Sequence, residues 1–188
     1  YDVPRIMAES LHTVNGPSAR IYRGGEVVEF DSHDSSWLPS RIERHFSAKD
    51  LTISETITTH DDMVIFWIKP EGKIEDLSIE WSSSVDRTAN ASWRAHGTSH
   101  VCLHDDGVAN GWVWLGSEPT SWRTDAGPGC LSFTAPVPEE GVLLVLMMGY
   151  DQAAVERRLE SMISQLTRSS TAQMAEELLG TAHDVWDW

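Results

Sequence analysis

The sequence predicts a mainly β fold: a supersandwich-like antiparallel β-sandwich that is followed by two C-terminal linker helices. About eleven short strand-like segments are separated by turn-forming residues roughly every 8 to 12 positions, which is typical of sandwiches and barrels. Residues 63–68 and 142–148 are continuously apolar, as in strands that are covered on both faces. After Tyr150 the apolar period changes from that of a strand to that of a helix.

In the N-terminal part, the sequence predicts a hairpin that lies between two polar connecting segments. Gly24 and Gly25 separate two strand-like segments, and a Gly-Gly pair is typical of a two-residue hairpin loop. Residues 15–18 are Asn-Gly-Pro-Ser and predict a turn, and residues 31–36 are polar and predict a loop. The remaining strands are predicted at 41–46, 51–58, 63–68, 77–81, 92–96, 99–103, 111–115, 121–123, 130–133 and 142–148.

Two helices are predicted after the last strand. Asp151 can cap the first helix, and Ser170 with Gln173 forms a capping box at the start of the second. One apolar stripe runs along each helix, with Val155, Leu159, Met162, Ile163 and Leu166 in the first and Met174, Leu178, Leu179, Ala182 and Val185 or Trp186 in the second.

The predicted organisation is a sandwich domain over residues 1–150 and a helical linker over residues 151–188. The last helix ends on Trp186 and Trp188, whereas chain ends are usually polar and frayed. We therefore expect the linker to lead into, or pack on, a further domain.

The chain is strongly acidic, with 188 residues and a formal net charge of −15. Nucleic-acid binding needs a basic surface, so this charge argues against DNA or RNA as a partner. Anionic membranes attract basic rather than acidic segments, and no apolar run approaches the roughly 18 residues that span a bilayer. Neutral ligands such as sugars remain compatible with the charge.

No local motif for catalysis or cofactor binding occurs. A nucleophile elbow, a Gly-rich phosphate loop, HExxH and CxxC are all missing from the sequence, so we expect no catalytic residue, cofactor or metal ion. Residues 60–62 and 104–106 are both His-Asp-Asp; they could ligate calcium, but β-turns are the preferred interpretation. Cys102 and Cys130 form either one disulfide or two free thiols. Asn90 begins a glycosylation sequon, which favours a secreted location.

Nine tryptophans are the most unusual feature of the composition. Trp112 and Trp114 are two positions apart and therefore share one face of a predicted strand, and Trp122 lies on a neighbouring one. Because exposed indole rings can stack on the C–H face of a pyranose, these three residues are the candidate carbohydrate contacts. The alternative is that they fill the sandwich core, where each indole N–H finds a partner.

Three stretches of the chain together resemble a known domain. Residues 42–68 contain an alternating strand that turns after a charged dipeptide into a more apolar one, residues 142–150 form an apolar closing strand, and residues 151–188 form a helical connector. This pattern is similar to the N-terminal β-sandwich domain of the six-hairpin glycosidases, whose catalytic domain is an (α/α)-six barrel. The resemblance implies a non-catalytic domain that supports the barrel and shapes substrate access, and it assigns no catalytic residue to this chain.

The leading hypothesis is a non-catalytic sandwich domain of a glycoside hydrolase. Its partners would be a helical barrel catalytic domain, in the same chain or as a second chain, and a carbohydrate substrate. A carbohydrate-binding module with a tryptophan platform is the first alternative. The second is a structural or assembly subunit in which the apolar helix faces bind another chain.

Overall fold

The computed structural model describes residues 6–7, 13–60, 63–86, 91–96, 99–104, 109–125, 130–166 and 170–184. In this part of the chain, two antiparallel sheets and two C-terminal helices confirm the predicted fold class. The smaller sheet has the order β1–β2–β8–β13–β12, with β3 paired to β2. Its strands are β1 (Ile6–Met7), β2 (Thr13–Arg23), β3 (Glu26–Val27), β8 (Leu77–Asp86), β12 (Ser121–Asp125) and β13 (Cys130–Pro136).

The larger sheet has eight strands in the order β4–β5–β6–β7–β14–β11–β10–β9. These strands are β4 (Ser32–Leu38), β5 (Arg41–Ala48), β6 (Leu51–His60), β7 (Met63–Gly72), β9 (Ala91–His96), β10 (Ser99–His104), β11 (Ala109–Leu115) and β14 (Val142–Gly149). The helices are α1 (Gln152–Leu166) and α2 (Thr171–Asp184).

The centre of the larger sheet is buried on both faces. On β7, Phe66 points toward the smaller sheet and packs against Trp81 with 5.4 Å between ring centroids. Its neighbour Ile65 points the other way, into a second cluster that includes Val155 and Leu159 of α1. Alternate residues of one strand thus serve two different cores, which explains why the central strands are continuously apolar rather than alternating.

The helices form a third layer on the outer face of the larger sheet. On α1 the buried residues are Val155, Leu159 and Met162, so its apolar stripe packs on the protein's own sheet. Gly111 of β11 makes this approach possible, because a Cβ there would lie 2.7 Å from a Leu159 methyl carbon. The assembly-subunit alternative requires an apolar helix face that can bind another chain, and the face of α1 is buried against the protein's own sheet. The division into a domain over 1–150 and a linker over 151–188 stays a prediction.

Both predicted helix caps are present. The Asp151 carboxylate accepts hydrogen bonds from the backbone N–H groups of Ala153 and Ala154, at 2.9 and 3.2 Å. Ser170 and Gln173 bond reciprocally, backbone to side chain, at 3.1 and 3.2 Å. These bonds satisfy N–H groups that have no partner inside the helix. No helix in the described residues has the length and apolar character needed to cross a membrane.

Two local predictions for the N-terminal part were wrong. The polar segment predicted as a loop over 31–36 is strand β4, which pairs with β5 along its whole length. The Asn-Gly-Pro-Ser segment predicted as a turn lies inside β2, where the pairing with β8 shifts between Asn15 and Ser18. A bulge accommodates Pro17, which has no N–H to donate to the ladder. The Gly24–Gly25 hairpin is confirmed, with positive φ at both glycines.

One end of the sandwich is tied together by Arg23. Its guanidinium donates to the Asp50 carboxylate and to the Lys73 carbonyl, both at 2.8 Å. The Lys73 N–H in turn donates to the Asp50 carbonyl at 2.8 Å. The β2–β3 hairpin is thereby attached to the turn between β5 and β6. The Arg23 hydrogen bond lowers the pKa of the Asp50 carboxyl below its ordinary value of 3.8.

Asp50→Asn is expected to lower stability near neutral pH and to have less effect in acid. A carboxyl whose pKa is depressed by folding stabilises the folded state above its ordinary pKa, and this contribution disappears as the pH falls through the folded value. The difference in unfolding free energy between wild type and variant should therefore shrink below about pH 4. Urea unfolding from pH 7 to pH 2.5 measures it. An equal difference at every pH would contradict the assignment.

Candidate functional site

The smaller sheet does not extend over the β4 edge of the larger sheet, so the core-side face is uncovered there. This is clearest in a row of directly paired residues that share the core-side face: Trp37 on β4, Ile42 on β5, Ile57 on β6 and Phe66 on β7. Trp37 is 71% exposed, Ile42 is half-buried, Ile57 is 7% exposed and Phe66 is fully buried. Exposure falls steadily toward the centre, so the smaller sheet ends near β5. We call the core-side surface of β4 and β5, which is exposed along β4 and half-buried along β5, the open face; it carries His33, Ser35, Trp37, Ile42, Arg44 and Phe46.

Trp37 is the most exposed large apolar side chain of those described. Every residue of β4 is exposed, because the strand is at the edge of its sheet and neither face is covered. Leu38 follows Trp37 and points to the opposite face, at 42% exposure. An indole ring that stays in water on a regular strand has both an apolar face and an N–H donor available to a ligand.

A buried ion pair lies beside Trp37 on the same face. Arg44 of β5 and Glu55 of β6 are direct cross-strand partners, and Arg44 Nε lies 2.8 Å from Glu55 Oε2. Their side chains are only 12% and 6% exposed. Trp37 is a diagonal neighbour of Arg44, at a Cα separation of roughly 7–8 Å. The pair is therefore buried beside the exposed indole ring and fixes the charge balance of this face.

Aromatic rings complete the open face at its other end. His33 of β4 stacks on Phe46 of β5, with ring centroids 6.2 Å apart and an angle of 18° between the planes. Phe30 contacts the same phenylalanine at 5.6 Å. Along β4 the face therefore presents an exposed indole and an imidazole that stacks on a phenyl ring. Such a surface can hold a flat, neutral ligand that has both C–H faces and hydroxyl groups.

The three tryptophans predicted from the sequence lie between the two sheets. Trp112 and Trp114 are 1% and 0% exposed, and Trp114 Nε1 donates to Ser117 Oγ at 3.1 Å. Trp122 is half-buried and stacks on His100, with 3.9 Å between ring centroids. A sugar could reach Trp112 or Trp114 only if the sheets separated. This is the packing that the core alternative describes, and sugar contact at the three rings stays a prediction.

The other candidate sites lie wholly or partly outside the described residues. Asn90 of the sequon lies outside them, as do Asp61, Asp62 and residues 105–106 of the two His-Asp-Asp triplets. The side chains of Cys102 and Cys130 also lie outside what the structure describes. Among the described side chains, no group of three or more His, Cys, Asp or Glu is placed to hold a metal ion.

Trp37 was not identified from the sequence because strand prediction depends on the alternation of apolar and polar residues. A strand that is exposed on both faces has no apolar face to mark it, so β4 was predicted as a loop. One signal was present: a tryptophan and a leucine interrupt a serine-rich polar segment. The sequence also contains a sign of the Arg44–Glu55 pair, since Arg44 alternates with Ile42 and Phe46 on the same face of a predicted strand. A charge at an inward position indicates a buried partner.

Comparisons with known proteins found a weak similarity among solved structures. No family model matches the sequence, and no curated protein sequence matches it. Among solved structures, the chain is similar to a mutant of a glycoside hydrolase family 81 enzyme from Clostridium thermocellum, with a TM-score of 0.41 and 12% identity. The alignment covers 81% of this chain and 19% of that one, so this chain spans about a fifth of the enzyme's length. A likeness at this level carries no conclusion about function.

Proposed function

We propose that this chain is a non-catalytic β-sandwich domain of a carbohydrate-active protein and that its open face contacts a neutral polysaccharide. The observation that supports the proposal is the 71% exposure of Trp37 beside the Arg44–Glu55 pair. Water solvates an apolar indole face poorly, and stacking on the C–H face of a sugar ring removes both surfaces from water. The exposed side chains of His33 and Ser35 on the same face can then exchange hydrogen bonds with the sugar hydroxyls.

The charge of the chain supports a neutral ligand. The formal net charge is −15, so a polyanionic glycan would be repelled at a distance. The charge of Arg44 on the open face is compensated by Glu55 of the neighbouring strand β6. A neutral polysaccharide pays no such electrostatic cost, and its binding should change little with ionic strength.

The proposal includes a catalytic neighbour. In this role the sandwich flanks a helical barrel, in the same protein or as a separate chain, and presents the polysaccharide to it. The outer side of α1 is polar, with Arg157, Glu160 and Ser161 exposed. On the open face, by contrast, Trp37 presents an exposed indole ring to the substrate.

Trp37→Ala is expected to weaken binding to a neutral soluble polysaccharide at least tenfold, which corresponds to about 1.4 kcal/mol. Affinity electrophoresis through gels that contain the polysaccharide measures this effect. Leu38→Ala is the matched control, since Leu38 is exposed on the opposite face of the same strand. The wild-type chain should bind without releasing new reducing ends.

Two outcomes would contradict the proposal. One is equal retardation of wild type and Trp37→Ala on every polysaccharide that retards the wild type. The other is hydrolysis of the polysaccharide by the purified chain, which would require a catalytic site in this domain.

A further inference from the structure

The outer edge of strand β4 is a second surface that can bind a partner. β4 is the first strand of the larger sheet and pairs, among the described strands, with β5 alone. Its ladder with β5 runs from Ser32 to Leu38 without a shift in register, and every residue of β4 is exposed. An edge of this kind presents a row of N–H and C=O groups to which another strand can pair.

β4 lacks most of the features that usually protect a sheet edge. Edge strands are commonly very short, bulged, or marked by charged side chains or proline. The other described edges follow this rule, since β1 has two residues, β9 carries Arg94, and β12 carries Arg123 and Asp125. β4 contains no Lys, Arg or Pro, and Asp34 is its one carboxylate. Among the described edge strands, β4 is therefore the best suited to pair with a further strand.

The pairing with β5 determines which backbone groups of β4 point outward. Residues 39–40 form a two-residue turn, and the pair that closes such a turn, Leu38 and Arg41, exchanges backbone hydrogen bonds. Ser47 is in phase with Arg41, and its carbonyl accepts from the Asp31 N–H at 2.8 Å, so the same phase holds along β5. Bonded and non-bonded pairs alternate along an antiparallel ladder. The residues of β4 whose N–H and C=O groups point away from β5 are therefore His33, Ser35 and Trp37.

A second copy of β4 is complementary to this edge. When two copies pair antiparallel about Ser35, all three outward-directed residues meet one another, with His33 opposite the partner's Trp37. This is an aromatic cross-strand pair, and Asp34 lies opposite the partner's Ser36, so no like charges face each other. Moving the centre of the pairing to Asp34 would place two carboxylates opposite each other. The pairing about Ser35 therefore uses the whole strand and avoids that repulsion.

We propose that two copies of this chain associate through β4, antiparallel about Ser35, and so join their larger sheets edge to edge. Each copy contributes the same surface, as in most homodimers. The proposal is independent of carbohydrate binding, because it depends on backbone groups of the edge. The net charge of −15 opposes the approach of two copies, so the dimer is weak and becomes tighter as salt screens this repulsion.

Two lysine variants test the register of the pairing. Ser35→Lys places two ammonium groups opposite each other at the centre of the dimer, and we expect it to weaken the dimer about threefold to fivefold. Ser36→Lys adds the same charge to the same strand but lies opposite the partner's Asp34, so it should dimerise at least as tightly as wild type. If Ser36→Lys weakens the dimer as much as Ser35→Lys does, the pairing about Ser35 is wrong.

Sedimentation velocity of the 188-residue chain tests the association itself. The dimer fraction should rise between about 10 µM and 1 mM, the range of weak interfaces. Ser35→Pro removes the outward N–H at the centre of the pairing and spares the ladder with β5, so it should weaken the dimer at least tenfold. Ser35→Thr keeps that N–H and should dimerise like the wild type. A wild type that stays monomeric over this range, or a folded Ser35→Pro protein that dimerises as tightly as wild type, would overturn the proposal.

Discussion

Replacing Trp112 with Ala is expected to lower the free energy of unfolding by about 3–5 kcal/mol. The side chain is 1% exposed and packs with Leu131 and Leu146 between the sheets. Its removal loses the transfer free energy of a large ring and leaves a cavity that the surrounding strands fill only partly. Urea unfolding followed by circular dichroism measures the loss.

Trp37→Ala is the surface control for the loss of stability in Trp112→Ala. Trp37 is 71% exposed on an edge strand, and surface substitutions of this kind usually change stability by no more than about 0.5 kcal/mol. The two variants remove the same side chain, one from the core and one from the surface. Similar stability losses in both would contradict the burial pattern on which the open face rests.

Glu55→Leu is expected to destabilise the fold by about 3–5 kcal/mol, because it leaves the Arg44 guanidinium without its counter-charge in a site that is 12% exposed. The double variant Arg44→Met/Glu55→Leu should recover most of this loss, since two apolar side chains of similar volume can replace a buried ion pair at little cost. The same unfolding measurement on both proteins tests this pattern. If the single variant is as stable as wild type, the pair is not buried as described.

The elements that were predicted most accurately from the sequence are those whose local chemistry permits only one structure. Gly24 and Gly25 both have positive φ, and few other residues adopt that conformation without strain. The helix caps at Asp151 and Ser170 follow from side chains that bond nearby backbone N–H groups. The apolar run in β7 was predicted as a strand covered on both faces, and its residues do enter two different clusters.

The candidate site was harder to predict because its features depend on which strands the second sheet covers. Trp112 and Trp37 are the same residue type on two strands of one sheet, and only the position of the smaller sheet makes one core and the other surface. Spacing within the sequence does not contain that information. The bulge in β2 has a similar origin, since Pro17 is tolerated there only because the pairing with β8 skips it.

The packing of the helices also bears on the role of the chain. Gly111 and Gly149 leave room for Val155 and Leu159, so α1 lies close against β11 and β14. A helix that is held in this way covers the back of the larger sheet. α1 therefore occupies the outer face of β11 and β14, whereas β4 is exposed on both faces.

The most direct test of the account is a titration of the isotope-labelled chain with a neutral oligosaccharide, followed by amide NMR shifts. The account predicts that shifts concentrate on β4 and β5, at residues that neighbour Trp37 and Arg44, and that they disappear in Trp37→Ala. Shifts that cluster around Trp122 and β12, with β4 unaffected, would contradict it and would move the carbohydrate site to the other end of the sandwich.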